Sequence, residues 1–203
     1  MSLLDVAPVI PVVVIDDVET AVPMARALVA GGLPVIEVTL RTAPALEAVR
    51  RIAADVPDAV VGTGTVRTAA DVAASVSAGA RFLVSPGTTL SLADTMAASG
   101  LPYLAGAATA SEVMALAERG LKELKFFPAE AAGGVPYLKA LAGPLPDVRF
   151  CPTGGIRSAA ALNYLALPNV GCVGGSWLTP ADALAAGDWG RVEKLASEAA
   201  ALR

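Results

Sequence analysis

Short runs of β-branched residues alternate with alanine-rich stretches along the whole of this 203-residue chain. No other feature constrains its fold so strongly. Runs such as Val12-Val13-Val14-Ile15 are apolar at every position, which suits strands covered on both faces. Strands are expected at residues 9–15, 35–40, 59–63, 82–85, 103–105, 123–127, 148–151 and 170–173. Helices fit between them at 18–30, 43–55, 69–78, 91–99, 111–119, 135–142 and 159–165, with a last one at 189–200. Thr109 or Ser111 can cap the fifth helix, and Glu112 suits its first turn. Eight strands alternating with eight helices imply a parallel sheet with helices outside it. No polar linker or change of composition divides the chain, so residues 1–203 read as a single domain. Eight units favour closure into a (β/α)8 TIM barrel of the α/β class, at the short end of that fold's range. An open doubly wound sheet is the structural alternative, but the G-x-G-x-x-G fingerprint after the first strand is absent.

Within this pattern one residue is out of place. Leu124-Lys125-Phe126-Phe127-Pro128 reads as a buried strand with an amine in its middle. Lysine is almost never fully buried unless something pairs with it or uses it. The chain has no histidine, so the usual proton carrier near neutral pH is missing. Acid–base chemistry here must run on lysine, carboxylates, hydroxyls or water.

Side-chain alternation gives the lysine neighbours. In Val35-Ile36-Glu37-Val38-Thr39-Leu40-Arg41, the apolar residues Ile36, Val38 and Leu40 share one face, and Glu37, Thr39 and Arg41 share the other. In a barrel the apolar face meets the helices and the polar face points inward, its residues spaced by about 6.6 Å. Arg41 then lies nearest the C-terminal rim, where barrel active sites lie. Lys125 shares its parity with Glu123 and Phe127, and Thr63 and Thr65 share theirs with Val61, which is taken as inward. Glu37 alone has a structural reading, neutralising a cation. With an inward lysine on another strand, catalysis explains more, because interior polar clusters are costly unless satisfied. A neutral lysine amine forms an imine with a keto group, and the protonated imine draws electrons from the adjacent carbon. Burial and a nearby cation favour the neutral amine, a nearby carboxylate the charged one. The sequence supplies both kinds of neighbour, Arg41 and Glu37. Glu37 is the natural proton shuttle.

Two glycine pairs, Gly154-Gly155 and Gly174-Gly175, follow the seventh and eighth strands, the loops that often hold phosphate in barrel enzymes. Glycine lets backbone N–H groups approach an anion, and Ser176 adds a hydroxyl. Each pair read alone is equally a tight turn. Gly133-Gly134 reads as a turn or mobile loop. Pro86 narrows the pocket or only shapes its turn.

Composition excludes some partners. A net charge of −4 offers no basic field to nucleic acid, though a small anion needs only a local positive site. The N-terminus lacks the pattern of a signal peptide. Residues 158–181 are uncharged, but Pro168, Gly171, Gly174 and Gly175 interrupt them, so they are not read as a membrane span. Cys151 and Cys172 lack pairing or metal spacing and read as buried thiols in a reducing cytoplasm. The hydrophobic fraction of 55% suits a large interior or a subunit interface.

Six blocks in order carry a resemblance: residues 35–42 (VIEVTLRT), 61–66 (VGTGTV), 84–87 (VSPG), 124–130 (LKFFPAE), 151–156 (CPTGGI) and 174–177 (GGSW). Together they resemble the 2-keto-3-deoxy-6-phosphogluconate (KDPG) aldolase / 4-hydroxy-2-oxoglutarate aldolase family over nearly the whole chain. The resemblance implies a class I aldolase on a (β/α)8 barrel, cytoplasmic, trimeric, and without metal or cofactor. Its substrate would be the phosphorylated keto acid of the Entner–Doudoroff pathway. It implies Lys125 as Schiff-base nucleophile and Glu37 as general acid/base. Arg41 and Thr65 would hold the pyruvate carboxylate, Pro86 and Phe127 line the pocket, and Gly154, Gly155 and Ser176 bind phosphate. Ala105 and Ala132 depart from the family pattern, where proline and asparagine are common, but neither has a chemical role. Arg157, just beyond the phosphate loop, is expected to add charge beside the phosphate. The alternatives are an aldolase for 4-hydroxy-2-oxoglutarate or the galactonate-derived epimer, a barrel serving as an assembly scaffold, and a phosphate-site barrel isomerase.

Overall fold

The computed structural model describes residues 2–202; the two ends of the expected 1–203 domain lie outside them. Eight parallel strands form one sheet: β1 (Val9–Val13), β2 (Val35–Thr39), β3 (Val60–Gly64), β4 (Leu83–Val84), β5 (Tyr103–Ala107), β6 (Glu123–Phe126), β7 (Arg149–Pro152) and β8 (Val173–Gly175). Neighbours in sequence pair from β1 to β7, and β8 returns to pair with β1. Two parallel bridges, Phe150 with Val170 and Thr153 with Gly174, join the seventh and eighth units. The sheet is therefore the expected barrel, nearly closed, and not an open doubly wound sheet. The helices are α1 (Ala21–Ala30), α2 (Ala45–Asp55), α3 (Ala69–Ser77), α4 (Leu90–Ala98), α5 (Ala110–Ala117), α6 (Gly134–Leu141), α7 (Ser158–Leu165), α8 (Ala181–Ala186) and α9 (Trp189–Ala200).

Differences from the sequence reading are local. The first helix begins as a 3-10 turn over Val18–Thr20, capped by Asp17, before α1 starts at Ala21. The eighth strand was expected at 170–173. Val170 instead bridges β7, and pairing with β1 begins only at Val173, opposite Val9. Helix α8 was not expected; its six residues are too few to show a helical period, and Gly187 ends it with a left-handed φ of 65°. Thr109 is the cap of α5, in a reciprocal box with Glu112, and Ser111 is not. Gly133 and Gly134 lead directly into α6, with Gly133 at its cap. The uncharged stretch 158–181 divides among α7, β8 and their loops, and no helix of the described residues is long and apolar enough to cross a membrane.

The parity of each strand sorts its residues between two cores. Ile36, Val38, Val61, Leu124, Phe126 and Phe150 face outward and pack with helix residues such as Leu28, Val49 and Ile52. Phe126 stacks on Tyr137 of α6, ring centroids 5.6 Å apart. Inside the barrel, Ile10, Val35, Phe82, Leu104, Cys151 and Cys172 form a separate cluster that Leu3 and Leu4 join from the N-terminal segment. This segment plugs the end at which the strands begin. Ser2 donates to Glu123 at 2.6 Å, and Arg149 holds Asp5 at 2.6 Å. With one end closed, the cavity of the barrel opens only where the strands finish.

Candidate active site

Just above the apolar plug, β2 and β6 present one charged side chain each. Lys125 Nζ donates to both carboxylate oxygens of Glu37, at 2.9 and 3.3 Å. Both residues are only 3% exposed. A buried ion pair gains little stability over apolar packing, because both charges are stripped of water. Its persistence in the centre of the barrel therefore points to use. At 2.9 Å a proton can pass between amine and carboxylate without an intervening group, which is the geometry a nucleophilic amine and its acid/base partner require. The Phe127 ring centroid lies 5.6 Å from Nζ and covers the pair from the mouth side.

Above Phe127 a cavity of about 190 Å³ opens at the C-terminal rim. Five nominated residues line it: Arg41, Phe127, Gly154, Gly155 and Ser176. Among the described residues of its wall Arg41 alone is charged, so the cavity suits an anion. Gly154 and Gly155 adopt left-handed φ angles of 107° and 79°, which favour glycine. A Cβ on Gly154 would also lie 3.2 Å from the Phe127 ring, so the loop is seated on the residue that covers the lysine. A larger hollow of about 410 Å³ lies beyond Val12 and Ser176, between the end of β1 and α8, away from the ion pair.

Thr65 reaches the site by a route that side-chain alternation does not give. Alternation predicts Val61 and Thr63 inward, but the strand turns both toward the helices. Val61 packs in the outer core, and the Thr63 hydroxyl donates to Ser75 of α3 at 2.8 Å. Gly62 and Gly64 face the interior instead, against Phe82 and Glu37. Past the end of β3, Thr65 has a left-handed φ of 61°, the one such non-glycine residue among those described. That turn reverses the parity and brings its hydroxyl to accept from Arg41 Nε at 3.2 Å.

The remaining nominees fall around this centre. Pro86 is half-buried outside the cavity wall, and its backbone occupies the space where a Cβ on Gly106 would stand. Arg157 precedes α7 without a side-chain capping bond and lines a different hollow, with Glu130 and Asn163, not the one that holds Ser176. Glu130 accepts a hydrogen bond from the buried Tyr164 hydroxyl, and burial, reinforced by that bond, raises Tyr164 well above the ordinary tyrosine range. Val12 completes the cavity and was not foreseen. It lies in a strand apolar on both faces, so no polar neighbour marked it. No group of three or more carboxylates or thiols suited to a metal is present among the described residues.

Comparison with known proteins agrees with this geometry. The family described as KDPG and KHG aldolase matches residues 1–195. A KHG/KDPG aldolase from Escherichia coli K12 is 55% identical over 198 residues, covering 98% of this chain and 93% of that protein. The crystal structure of the Legionella pneumophila KDPG aldolase, with pyruvate captured as a covalent carbinolamine, superposes with a TM-score of 0.95. It is 46% identical over 98% of this chain and 96% of that one. The Zymomonas mobilis ZM4 KDPG aldolase with 3-phosphoglycerate superposes at 0.93, with 48% identity over 98% and 94% of the two chains. With the fold, the sequence blocks and the buried lysine–glutamate pair in agreement, the chain belongs to the KDPG and KHG aldolase family.

Proposed function

We infer that the chain is a class I aldolase that reversibly cleaves 2-keto-3-deoxy-6-phosphogluconate to pyruvate and glyceraldehyde 3-phosphate, as in the Entner–Doudoroff pathway. The observation that carries this reading is the Lys125–Glu37 contact at 2.9 Å, buried beside a cavity walled by Arg41 and the glycine loop. The relatives named for this reaction at 53 and 54% identity, and the carbinolamine captured in the Legionella enzyme, support it.

The roles of single residues follow from their places. Lys125 gives its proton to Glu37 and adds through Nζ to the C2 carbonyl, forming a carbinolamine. Glu37 returns that proton to the carbinolamine hydroxyl, which leaves as water; a protonated imine and a free carboxylate remain. Glu37 then takes the C4 hydroxyl proton, directly or through a water. The C3–C4 bond breaks, its electrons move into the imine to leave an enamine, and the aldehyde departs. Protonation at C3 and hydrolysis return pyruvate and free Lys125. Arg41 and Thr65, joined at 3.2 Å, hold the substrate carboxylate. Gly154, Gly155 and Ser176 receive the phosphate, Phe127 covers the imine, and Pro86 shapes the rim from outside the wall.

Residues 1–203 act as one aldolase domain, in keeping with the match over 1–195. A homotrimer is supported by Val76, Leu90 and Met114, large apolar residues exposed on or beside the consecutive helices α3, α4 and α5. A cytoplasmic place is supported by the buried thiols Cys151 and Cys172. Activity on 4-hydroxy-2-oxoglutarate is a second reading, favoured by the double name of the Escherichia coli relative.

Borohydride reduction in the presence of pyruvate tests the assignment. A pyruvate adduct on Lys125 in the peptide mass map is expected; a protein that turns over substrate without one overturns the Schiff-base mechanism.

A further inference from the structure

Several glycines of this chain stand where the backbone demands them. Gly64 does not: its φ lies outside the left-handed region, so its conformation is open to any residue. Its reason is space. A Cβ at position 64 would lie 2.0 Å from Glu37 Oε1 and 2.6 Å from both Cγ and Cδ. Oε1 is the same oxygen that accepts from Lys125 Nζ at 2.9 Å. Gly64 pairs in register with Thr39, next to Glu37 on the inward face of β2. The missing methyl and the carboxylate thus occupy one volume.

We propose that Gly64 is a positioning residue for the acid/base group: by lacking a Cβ it holds open the place from which Glu37 reaches Lys125. The inference rests on the aldolase reading for its effect on rate, but not for its geometry. The colliding atoms belong to the Glu37 side chain from Cγ outward, so alanine at 64 turns that whole side chain away, where a rigid neighbour would strain the fold. The carboxylate then leaves Nζ. Gly62, on the same strand and face, makes the contrast. A Cβ there would lie 2.4 to 2.6 Å from atoms of the Phe82 ring. Its space is reserved for packing, so alanine at 62 strikes stability and leaves the Glu37–Lys125 contact alone.

The test is a cycle of Gly64→Ala and Glu37→Asp, with Gly62→Ala as control. Gly64→Ala is expected to lower kcat about 100-fold, the cost of misplacing a reacting group by about 1 Å, while KM for the keto acid moves about twofold or less. In the unsubstituted chain Glu37→Asp lowers kcat, because the shortened side chain no longer reaches Nζ. In the Gly64→Ala background the same change raises kcat, because one methylene fewer makes room for the methyl. That reversal of sign is what a general structural defect does not produce. Gly62→Ala is expected to lower Tm with no reversal. A Gly64→Ala enzyme with unchanged kcat, or an equal cost of Glu37→Asp in both backgrounds, overturns the proposal. Should Gly64→Ala be insoluble, the double variant decides: recovery of soluble barrel supports the shared volume, and continued insolubility overturns it. Failure of the unsubstituted chain to form a pyruvate adduct strikes the aldolase reading alone. The Tm of the same four proteins then tests the geometry without substrate, with a Glu37→Asp gain in Tm only beside alanine supporting it and no such gain overturning it.

Discussion

The two ends of the barrel use charge in opposite ways. Strand β6 contributes to both, with Glu123 at its start and Lys125 two residues on. At the lower end Glu123 meets Ser2 and Arg149, and Arg149 also holds Asp5. The side chains of Glu123, Arg149 and Asp5 are 30, 37 and 55% exposed, so water shares their charge. One step up, the side chains of Lys125 and Glu37 are buried and have each other. The lower cluster fastens the N-terminal segment over the inner core and is built to stay paired. The upper pair is costly to desolvate, and the proposed reaction is what would draw it apart. Burial, more than the presence of an ion pair, distinguishes the site from the scaffold.

The largest effect that sharpens this contrast is expected at Lys125. Lys125→Met removes the amine proposed as nucleophile and is expected to lower kcat by at least about 10⁴-fold, within the range seen when a covalent catalyst is lost. Steady-state cleavage of KDPG measures it; residual activity within tenfold of the unsubstituted enzyme breaks the distinction between the two ends. Glu37→Gln keeps a hydrogen-bonding partner for the amine but removes the group proposed as base. A loss of about 10²–10⁴ in kcat is expected, typical of general acid–base groups. Its Tm is expected to fall as well, since the change leaves a buried cation without its counter-charge.

At the lower end the expected effects fall on stability. Leu4 is fully buried in the inner cluster, beneath the ion pair, and does not line the cavity at the rim. Leu4→Ala is expected to cost about 2–5 kcal/mol in urea unfolding with kcat unchanged. A fall in kcat with an unchanged unfolding midpoint would show that the plug serves the site and not the core.

The barrel is legible because its strands are buried almost throughout and the helices that alternate with them, α8 apart, are long enough to show a period. What was missed lies where local chemistry overrides period. Thr65 meets Arg41 at the rim, yet the alternation argument for it fails, because Val61 and Thr63 point at the helices. The left-handed turn at Thr65 leaves no mark in a sequence read by parity. The inward residues of β3 are glycines, and glycine has no side chain by which a pattern reader assigns a face. The N-terminal plug was hidden for a related reason: Leu3-Leu4 is too short a run to suggest a role, and it matters only because the barrel has an end to close. The Lys125–Glu37 pair was legible because a charge in an apolar strand is a conflict that only a partner resolves.

The smallest effect gives the finest test of the contrast. Arg149 is raised above its ordinary range chiefly by its hydrogen bond to Asp5, a pairing weakened in value by solvent. A raised cation contributes stability at every pH below its ordinary range and loses it only as pH climbs through the higher folded value, beyond any working pH. The partner that titrates first is therefore the acid. Arg149→Ala is expected to cost about 0.2–1 kcal/mol, as exposed pairs do, and the cost should shrink in high salt and as pH falls through the carboxylate range. Urea midpoints at two salt concentrations measure it. A cost of several kcal/mol that salt does not touch would mean that Arg149 behaves like the buried pair above it, and exposure would then cease to be what separates the two ends.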